Sequence, residues 1–159
     1  MTDEVAGKTM VAGFAFHKES VLLVQKKRPV WQAGLWNGVG GVVEMDTSEK
    51  PLHAMTREFY EETGHLTEPG QWTHFCTENE PFGAVVHFFW MKFPDIEQVH
   101  APICNDAGEE LAWLRIDSLH DVAKLGNLHW LIPLALDWRG TAYPVVVSSV
   151  GDIRERASW

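Results

Sequence analysis

Three carboxylates lie close together in residues 57–64, namely Glu58, Glu61 and Glu62. On a helix that advances about 100° per residue, these side chains fall within an arc of roughly 100°. Because like charges repel one another, such a face is stabilised by a counter-charge. A hard divalent cation such as Mg²⁺, which takes oxygen ligands, is the natural candidate. A solvated acidic helix face is the alternative explanation for the same residues.

The residues around these glutamates match a known signature. Glu49 is followed, after seven intervening residues, by Arg57, Glu58 and the run F-Y-E-E-T-G. This segment resembles the Nudix box, G-x5-E-x7-R-E-U-x-E-E-x-G-U, in which U is bulky and apolar. Two positions depart from the signature: seven residues rather than five separate Gly41 from Glu49, and His65 stands at the last apolar position. Both departures lie outside the R-E-x-x-E-E core.

The resemblance implies a reaction and a set of site residues. Nudix enzymes hydrolyse a nucleoside diphosphate linked to a variable group X, and breaking this anionic pyrophosphate linkage needs charge neutralisation, an activated water and in-line positioning. The cofactor it implies is Mg²⁺, with Mn²⁺ as an alternative. The expected metal ligands are Glu58, Glu61, Glu62 and the backbone carbonyl of Gly40. Structural roles within the box are expected for Glu49, Arg57 and Gly64.

The general base is left open by the sequence. In this family it is either a box glutamate or a glutamate of a distant loop, and Glu58 is the box candidate. Glu109 and Glu110 come just before L-A-W, where many relatives carry a late acidic residue. A solvated loop acid explains each of these two equally well. The candidate catalytic residues are therefore Glu58, Glu61, Glu62, Glu109 and Glu110, whereas Glu78 and Glu80 are expected at the surface.

A second stretch bears on the substrate. The run W-N-G-V-G-G, which begins at Trp36, resembles the oxidised-purine nucleoside triphosphatases related to MutT, in which the asparagine hydrogen-bonds the base. Trp36 and Asn37 are therefore candidate substrate contacts, because an Asn amide both donates and accepts. A turn residue before glycine is an equally good explanation for Asn37. The run N-L-H-W-L-I-P-L from Asn127 resembles the base-pocket helix of that group, although the paired aspartates of the group are missing.

Phosphate contacts are expected from a basic run. The lysine that usually follows Gly-Gly is Val42 in this chain, so the contact is expected to move to Lys26, Lys27 or Arg28.

Together, these resemblances predict a pyrophosphohydrolase that converts a nucleoside triphosphate to a monophosphate and pyrophosphate. An oxidised or modified purine is one option for its base.

Two further hypotheses stay open. Pro81 lies roughly where ADP-ribose pyrophosphatases tend to carry proline, so ADP-ribose or a nucleotide sugar is an alternative substrate. The alternative of another class is a Nudix-fold nucleotide-binding regulator without catalysis. The nearly intact box argues against this third hypothesis, because a binding module has little need for adjacent like charges.

Composition sets the remaining limits. The chain has 159 residues, 45% hydrophobic and 22% charged, which predicts one globular domain over residues 1–159. A net charge of −9 argues against duplex nucleic acid as a partner. Two cysteines, no signal peptide and no long apolar run predict a cytoplasmic protein that does not span a membrane. A homodimer is a further expectation from the family, with the apolar tail as its interface.

The order of elements agrees with this family. Strands are predicted over residues 9–16, 21–25, 71–76, 84–92 and 109–114, with a further strand within 143–147. One helix is predicted over residues 49–63, with N-cap candidates in D-T-S at 46–48 and Gly64 as C-cap; another is predicted over 128–138. The predicted fold is α/β: a Nudix-type α/β/α sandwich with a mixed central sheet, in which the box forms a loop-helix-loop.

Overall fold

The computed structural model describes residues 6–94, 103–140 and 143–148 of the chain. Its core is a mixed sheet with one helix on each face. The helices are α1 Pro51–Thr63 and α2 Leu128–Leu136. The strands are β1 Thr9–His17, β2 Ser20–Gln25, β3 Trp36–Asn37, β4 Thr73–Asn79, β5 Val85–Lys92, β6 Ile103–Cys104, β7 Glu110–Arg115 and β8 Val145–Ser148.

The strand order is β6-β7-β2-β1-β5-β4-β8, and β3 pairs with β2 beside this path. The pairs β1–β5 and β4–β8 are parallel and the other pairs are antiparallel. The predicted mixed sheet is therefore confirmed. The described part of the chain contains no helix that is long and apolar enough to cross a membrane.

Strand β1 runs through the middle of the sheet and divides the core in two. Because successive side chains of a strand point to opposite faces, Val11 and Ala15 join the core beneath α1, whereas Ala12 and Phe14 join the core beneath α2. Gly13 also faces α1, and a Cβ atom there would lie only 2.7 Å from the Met55 sulfur. The absence of a side chain at this position lets α1 pack directly on the strand.

Helix α1 follows the predicted pattern with a shifted beginning. Its buried residues include Met55 and Phe59, and it ends at Gly64, whose φ of 73° lets its N–H donate to the Tyr60 carbonyl. The predicted N-cap at 46–48 is wrong. Part of that segment forms a 3-10 turn, Met45–Thr47, and the helix begins at Pro51 after Lys50, whose side chain makes no cap hydrogen bond.

The other predicted elements begin or end a few residues away from their predicted positions. The strand predicted from 109 begins at Glu110, and the one predicted within 143–147 is β8, Val145–Ser148. Strand β6 was not predicted at all, because two paired residues give no periodic signal. The tail predicted as a dimer interface lies mostly outside the described residues.

Replacing Phe59 by Ala should lower the free energy of unfolding by about 3–5 kcal/mol, because the ring is fully buried against Trp72 and Phe93. The matched control is Tyr60→Ala on the next position of the same helix, where half of the side chain is exposed; a loss of about 1 kcal/mol or less is expected. Urea unfolding measures both. Equal losses would contradict the assigned helix face.

Candidate active site

The guanidinium group of Arg57 connects three carboxylates and the loop before α1. Its Nε and Nη2 donate to the two oxygens of Glu49 at 2.8 and 2.9 Å. Its Nη1 donates to Glu58 at 2.9 Å and to Glu61 at 3.2 Å, and Nη2 also donates to the Val42 carbonyl at 3.0 Å. The Arg57 hydrogen bonds hold the pKa of Glu49 below its usual value. This arrangement fixes the loop against the helix.

Two glycines bring that loop into contact with the carboxylates of α1. A Cβ atom on Gly40 would lie 2.0 Å from the Val11 carbonyl oxygen, and a Cβ atom on Gly41 would lie 2.4 Å from the Glu58 carboxyl carbon. Both distances are far too short for a side chain. The carbonyls of Val39 and Gly41 accept hydrogen bonds from β1. Carbonyl groups point alternately to the two sides of an extended chain. The Gly40 carbonyl therefore points away from β1.

Glu62 is the most buried of the three box carboxylates. Only 13% of its side chain is exposed, and Oε2 has no hydrogen-bond partner among the described residues. Its other oxygen lies 3.7 Å from the Lys26 ammonium nitrogen. Burial raises the pKa of Glu62 to about 7; the Lys26 charge opposes this, and the charges of Glu109 and Glu58 add to it. Glu62 is therefore a carboxylate that needs a nearby cation.

Glu58 and Glu61 differ in their surroundings. Burial raises the pKa of Glu58, and the Arg57 hydrogen bond offsets part of the effect. The Glu61 side chain is 54% exposed and points toward Arg57. The structure therefore separates the three carboxylates that were predicted to share one face: Glu58 and Glu62 turn inward, and Glu61 stays at the surface.

Glu109 reaches this group from the loop before β7. Lys26 Nζ lies 3.1 Å from Glu109, whose other oxygen accepts the Lys27 backbone N–H at 3.1 Å. The Asn105 amide donates to Glu109 at 3.1 Å. Burial opposes the charge on Glu109, but these hydrogen bonds outweigh it and lower the pKa. Lys26 thus lies between Glu109 and Glu62.

Glu110 points away from this group, which separates the two late acids that the sequence left equivalent. It is exposed and lines a different cavity with Gln25, Lys27 and Gly108. Glu110 is the first residue of β7 and pairs with Gln25 of β2, whereas Glu109 in the preceding loop contacts Lys26.

A cavity of about 620 Å³ begins beside the two glycines and runs along the α2 face of the sheet. Lys26 and Arg28 line one end, together with Gly40 and Gly41. The cavity walls are largely apolar and come from Met10, Ala12, Val86, Phe88, Leu125 and Trp31. A cavity of this size and composition is typical of a small-molecule site.

The predicted substrate contacts are distributed unevenly around the cavity. Asn37 lines it, but its Oδ1 accepts the Gly38 N–H at 2.7 Å and its Nδ2 is 3.4 Å from Gln32 Oε1. The side chain of Trp36 instead packs against the core beneath α2. Glu78, expected at the surface, is buried and lines the cavity. Nothing in the local sequence around Glu78 signalled this, because the cavity forms only when β4 and α2 come together.

The family profile described as NUDIX domain matches residues 8–133, which include the box, the cavity strands and most of α2. The chain belongs to the Nudix family. It is a Nudix hydrolase. One relative is the CTP pyrophosphohydrolase of Escherichia coli strain K12, which is 30% identical over 104 residues. The matched residues are 65% of this chain and 73% of that protein.

Solved structures agree on the fold of this Nudix hydrolase. The MutT protein of Bacillus halodurans superposes with a TM-score of 0.68 at 18% identity, over 91% of this chain and 92% of the other. The Nudix domain of Shewanella oneidensis NrtR, solved with ADP-ribose, gives a TM-score of 0.67 at 20% identity over 83% and 88% of the two chains. Identities this low show the fold alone.

Nudix hydrolases use divalent metals. Whether this site suits a cation depends on the side-chain atoms that it offers as ligands. Among residues 6–94, 103–140 and 143–148, no three His, Cys, Asp or Glu side chains are arranged around one point as metal ligands. Arg57 holds Glu58 and Glu61, and Lys26 holds Glu109. The buried, unpartnered Glu62 oxygen and the neighbouring Glu58 carboxylate nevertheless supply the hard oxygen ligands that a divalent cation takes.

Replacing Arg57 by Met should lower the free energy of unfolding by about 1–3 kcal/mol, because it leaves the half-buried Glu49 carboxylate without its bidentate partner. Arg57→Lys should recover only part of the loss, since an ammonium group cannot form the same fork. The matched control is Arg139→Met, whose ion pair with Asp137 is exposed and whose removal should change little. Urea unfolding would contradict the interpretation if both Met variants behaved alike.

The pKa of Glu62 predicts a pH-dependent stability in the presence of a chelator. Its folded-state pKa of about 7 lies above the ordinary 4.5, so the stability linked to its proton is complete below 4.5 and is lost as the pH rises through 7. Glu62→Gln should therefore be more stable than the wild type by about 1–3 kcal/mol at pH 8 and nearly equal to it at pH 4.5. Urea unfolding at both pH values tests this. A difference that does not change with pH would refute it.

Proposed function

We propose that this Nudix hydrolase is a Mg²⁺-dependent pyrophosphohydrolase that converts a nucleoside triphosphate to a monophosphate and pyrophosphate. The observation that carries the proposal is one cavity that joins a largely apolar compartment to Gly40 and Gly41. Glu58 lies against Gly41, and the Gly40 backbone hydrogen-bonds Glu62. A nucleoside fills the apolar part, and its phosphates then lie at the charged end. The name of the Escherichia coli relative, a CTP pyrophosphohydrolase, supports a triphosphate substrate.

The metal would be held by Glu58, Glu62 and the carbonyl of Gly40, with Glu61 joining directly or through water. When bound, Mg²⁺ neutralises phosphate charge and lowers the pKa of a coordinated water; Mn²⁺ takes similar oxygen ligands. The chain's own contribution is to present the carboxylate oxygens from one helix and the Gly40 carbonyl from the loop before it. Arg57 braces the loop that carries Gly40, which keeps the carbonyl and the helix carboxylates in register.

Glu58 is the preferred general base of the proposal, through the carboxylate oxygen that would not hold the metal. A base works best when its pKa lies near the operating pH, and burial raises that of Glu58. Glu109 is less suitable because three donors already bind its charged form and lower its pKa. Its proposed role is to position Lys26, which together with Arg28 presents positive charge to the phosphates at the mouth of the cavity.

ADP-ribose is the second candidate substrate. The Nudix domain of Shewanella oneidensis NrtR was solved with this ligand, and the same cavity here offers room for an adenosine. Pro81, the residue that suggested this substrate from sequence, begins a short 3-10 turn after β4. Product analysis separates the two candidates, because ADP-ribose gives AMP and ribose 5-phosphate.

The first experiment measures turnover in Mg²⁺ with a panel of substrates: nucleoside triphosphates and their oxidised forms, ADP-ribose and nucleotide sugars. We expect a triphosphate to release a monophosphate and pyrophosphate. Glu62→Gln should lower the rate by about 10²–10⁴-fold, since a metal carboxylate contributes several kcal/mol to the transition state. The matched control is Glu110→Gln, which should stay within about twofold of the wild type because Glu110 faces another cavity. Full activity of Glu62→Gln would refute the metal assignment. Binding without turnover in both Mg²⁺ and Mn²⁺ would favour the regulator hypothesis.

A further inference from the structure

A histidine of β5 faces the side of the sheet that carries α1. His87 lies between Val86 and Phe88, and these two residues line the cavity on the other face. Because side chains alternate along a strand, the His87 ring points away from that cavity. Its cross-strand partner on β4 is Thr77, whose side chain is on the same face.

A β-bulge in β4 brings a second imidazole to this face. The register with β5 shifts between His74 and Cys76, so Phe75 is an extra residue, and Phe75 and Cys76 both join the core beneath α2. In a regular strand, His74 and Thr77 would face opposite sides because they are three residues apart. The bulge puts both on the α1 face. The His74 ring is held there by stacking on Phe89, at a centroid distance of 4.9 Å.

Lone pairs of four atoms converge between these side chains. His74 Nε2 lies 3.3 Å from His87 Nδ1, and the Thr77 hydroxyl oxygen lies 3.0 Å from the first nitrogen and 3.2 Å from the second. The Cys76 carbonyl oxygen lies 3.0 Å from His74 Nε2. A neutral imidazole has only one N–H, so these contacts cannot all be hydrogen bonds at the same time.

The separation of the two ring nitrogens is the one that a metal ion requires. With Zn–N bonds of about 2.0–2.1 Å and a tetrahedral angle, two imidazole nitrogens on one Zn²⁺ are about 3.3–3.4 Å apart. The nitrogens of His74 and His87 are 3.3 Å apart. The Thr77 hydroxyl lies close enough to both nitrogens to share the same cation.

The chemical state of the pair also suits a metal. Both rings are partly buried, and burial lowers the pKa of each; the neighbouring His74 lowers that of His87 further. A metal binds the neutral imidazole through its lone pair. Imidazole nitrogens suit Zn²⁺, Ni²⁺ and Cu²⁺, whereas Mg²⁺ prefers carboxylate, carbonyl and water oxygens.

We propose that His74 and His87 bind a first-row transition cation such as Zn²⁺, with the Thr77 hydroxyl and a water as further ligands. The cation joins β4 to β5 across the bulge, on the face of the sheet opposite the cavity. It is therefore separate from the Mg²⁺ of the proposed function, and the inference does not depend on that function. Because the site exists only in the folded chain, the cation stabilises the fold by mass action.

The first test is calorimetry with Zn²⁺ in an excess of Mg²⁺, which occupies the carboxylates of the box. The wild type should bind one Zn²⁺ per chain. His74→Gln and His87→Gln should each weaken binding by about 10–100-fold or more, because the loss of even an outer-shell partner of a metal ligand has an effect of that size. The matched control is His129→Gln, an exposed histidine of α2, which should bind like the wild type. Failure of the wild type to bind Zn²⁺, or equal binding by all three variants, would overturn the proposal.

The second test improves the site, which a variant that merely misfolds cannot do. Thr77→Cys should tighten Zn²⁺ binding by about 10²-fold, because a thiolate replaces a neutral hydroxyl beside both imidazoles. With Co²⁺ in place of Zn²⁺, a sulfur-to-metal absorption band should appear in the near ultraviolet. Adding His87→Gln to Thr77→Cys should remove most of the gain. Binding no tighter than in the wild type, without the absorption band, would refute the site.

A third measurement locates the cation and keeps this inference apart from the proposed function. Zn²⁺ in excess Mg²⁺ should raise the Tm of the wild type and of Glu62→Gln, but not that of His87→Gln. If Glu62→Gln abolishes the shift and His87→Gln keeps it, Zn²⁺ binds at the box and the proposal is wrong. Nucleotide turnover is measured separately, so the histidine site can stand if no triphosphate is cleaved, and the reaction can stand if no Zn²⁺ binds.

Discussion

The crowding of negative charge around two cations is the constraint on which the rest of this structure depends. Glu49, Glu58 and Glu61 all contact the Arg57 guanidinium, and Lys26 lies between Glu62 and Glu109. Carboxylates this close together would otherwise repel one another, so the helix and the loops that carry them must be held in place. The Arg57 fork ties the loop to α1, and the Lys26 contact ties the end of β2 to the loop before β7.

Close backbone packing makes this charge cluster possible. Gly13 lets α1 rest on β1, and Gly40 and Gly41 let the box loop pass between that strand and the helix carboxylates. A side chain at any of these three positions would push the helix or the loop outward. The burial that results is what raises the pKa of Glu62 and leaves one of its oxygens without a partner. Packing in the core therefore sets the electrostatics of the site.

The cavity connects two ends that differ in their chemistry. The box end gathers carboxylates that need a cation and lysine and arginine side chains suited to phosphate. The far end has Glu78, which accepts a hydrogen bond from the Asn127 amide. Under the proposed function, the phosphates of a nucleotide lie at the box end and its nucleoside lies along the apolar walls. This polarity is a property of the assembled sheet and α2, since the residues that create it come from five separate segments of the chain.

The sequence by itself determined the family, the helix of the box and most of the strands, because these depend on local spacing: R-E-x-x-E-E, an apolar stripe through Met55 and Phe59, and a glycine at 64. It also predicted which glutamates belong to the box. Only the tertiary structure decided which of them turn inward, that Glu109 rather than Glu110 joins Lys26, and that Glu78 is buried in the cavity rather than exposed. Those outcomes depend on contacts between residues up to 83 positions apart, as in Lys26 with Glu109, and no local pattern encodes such distances.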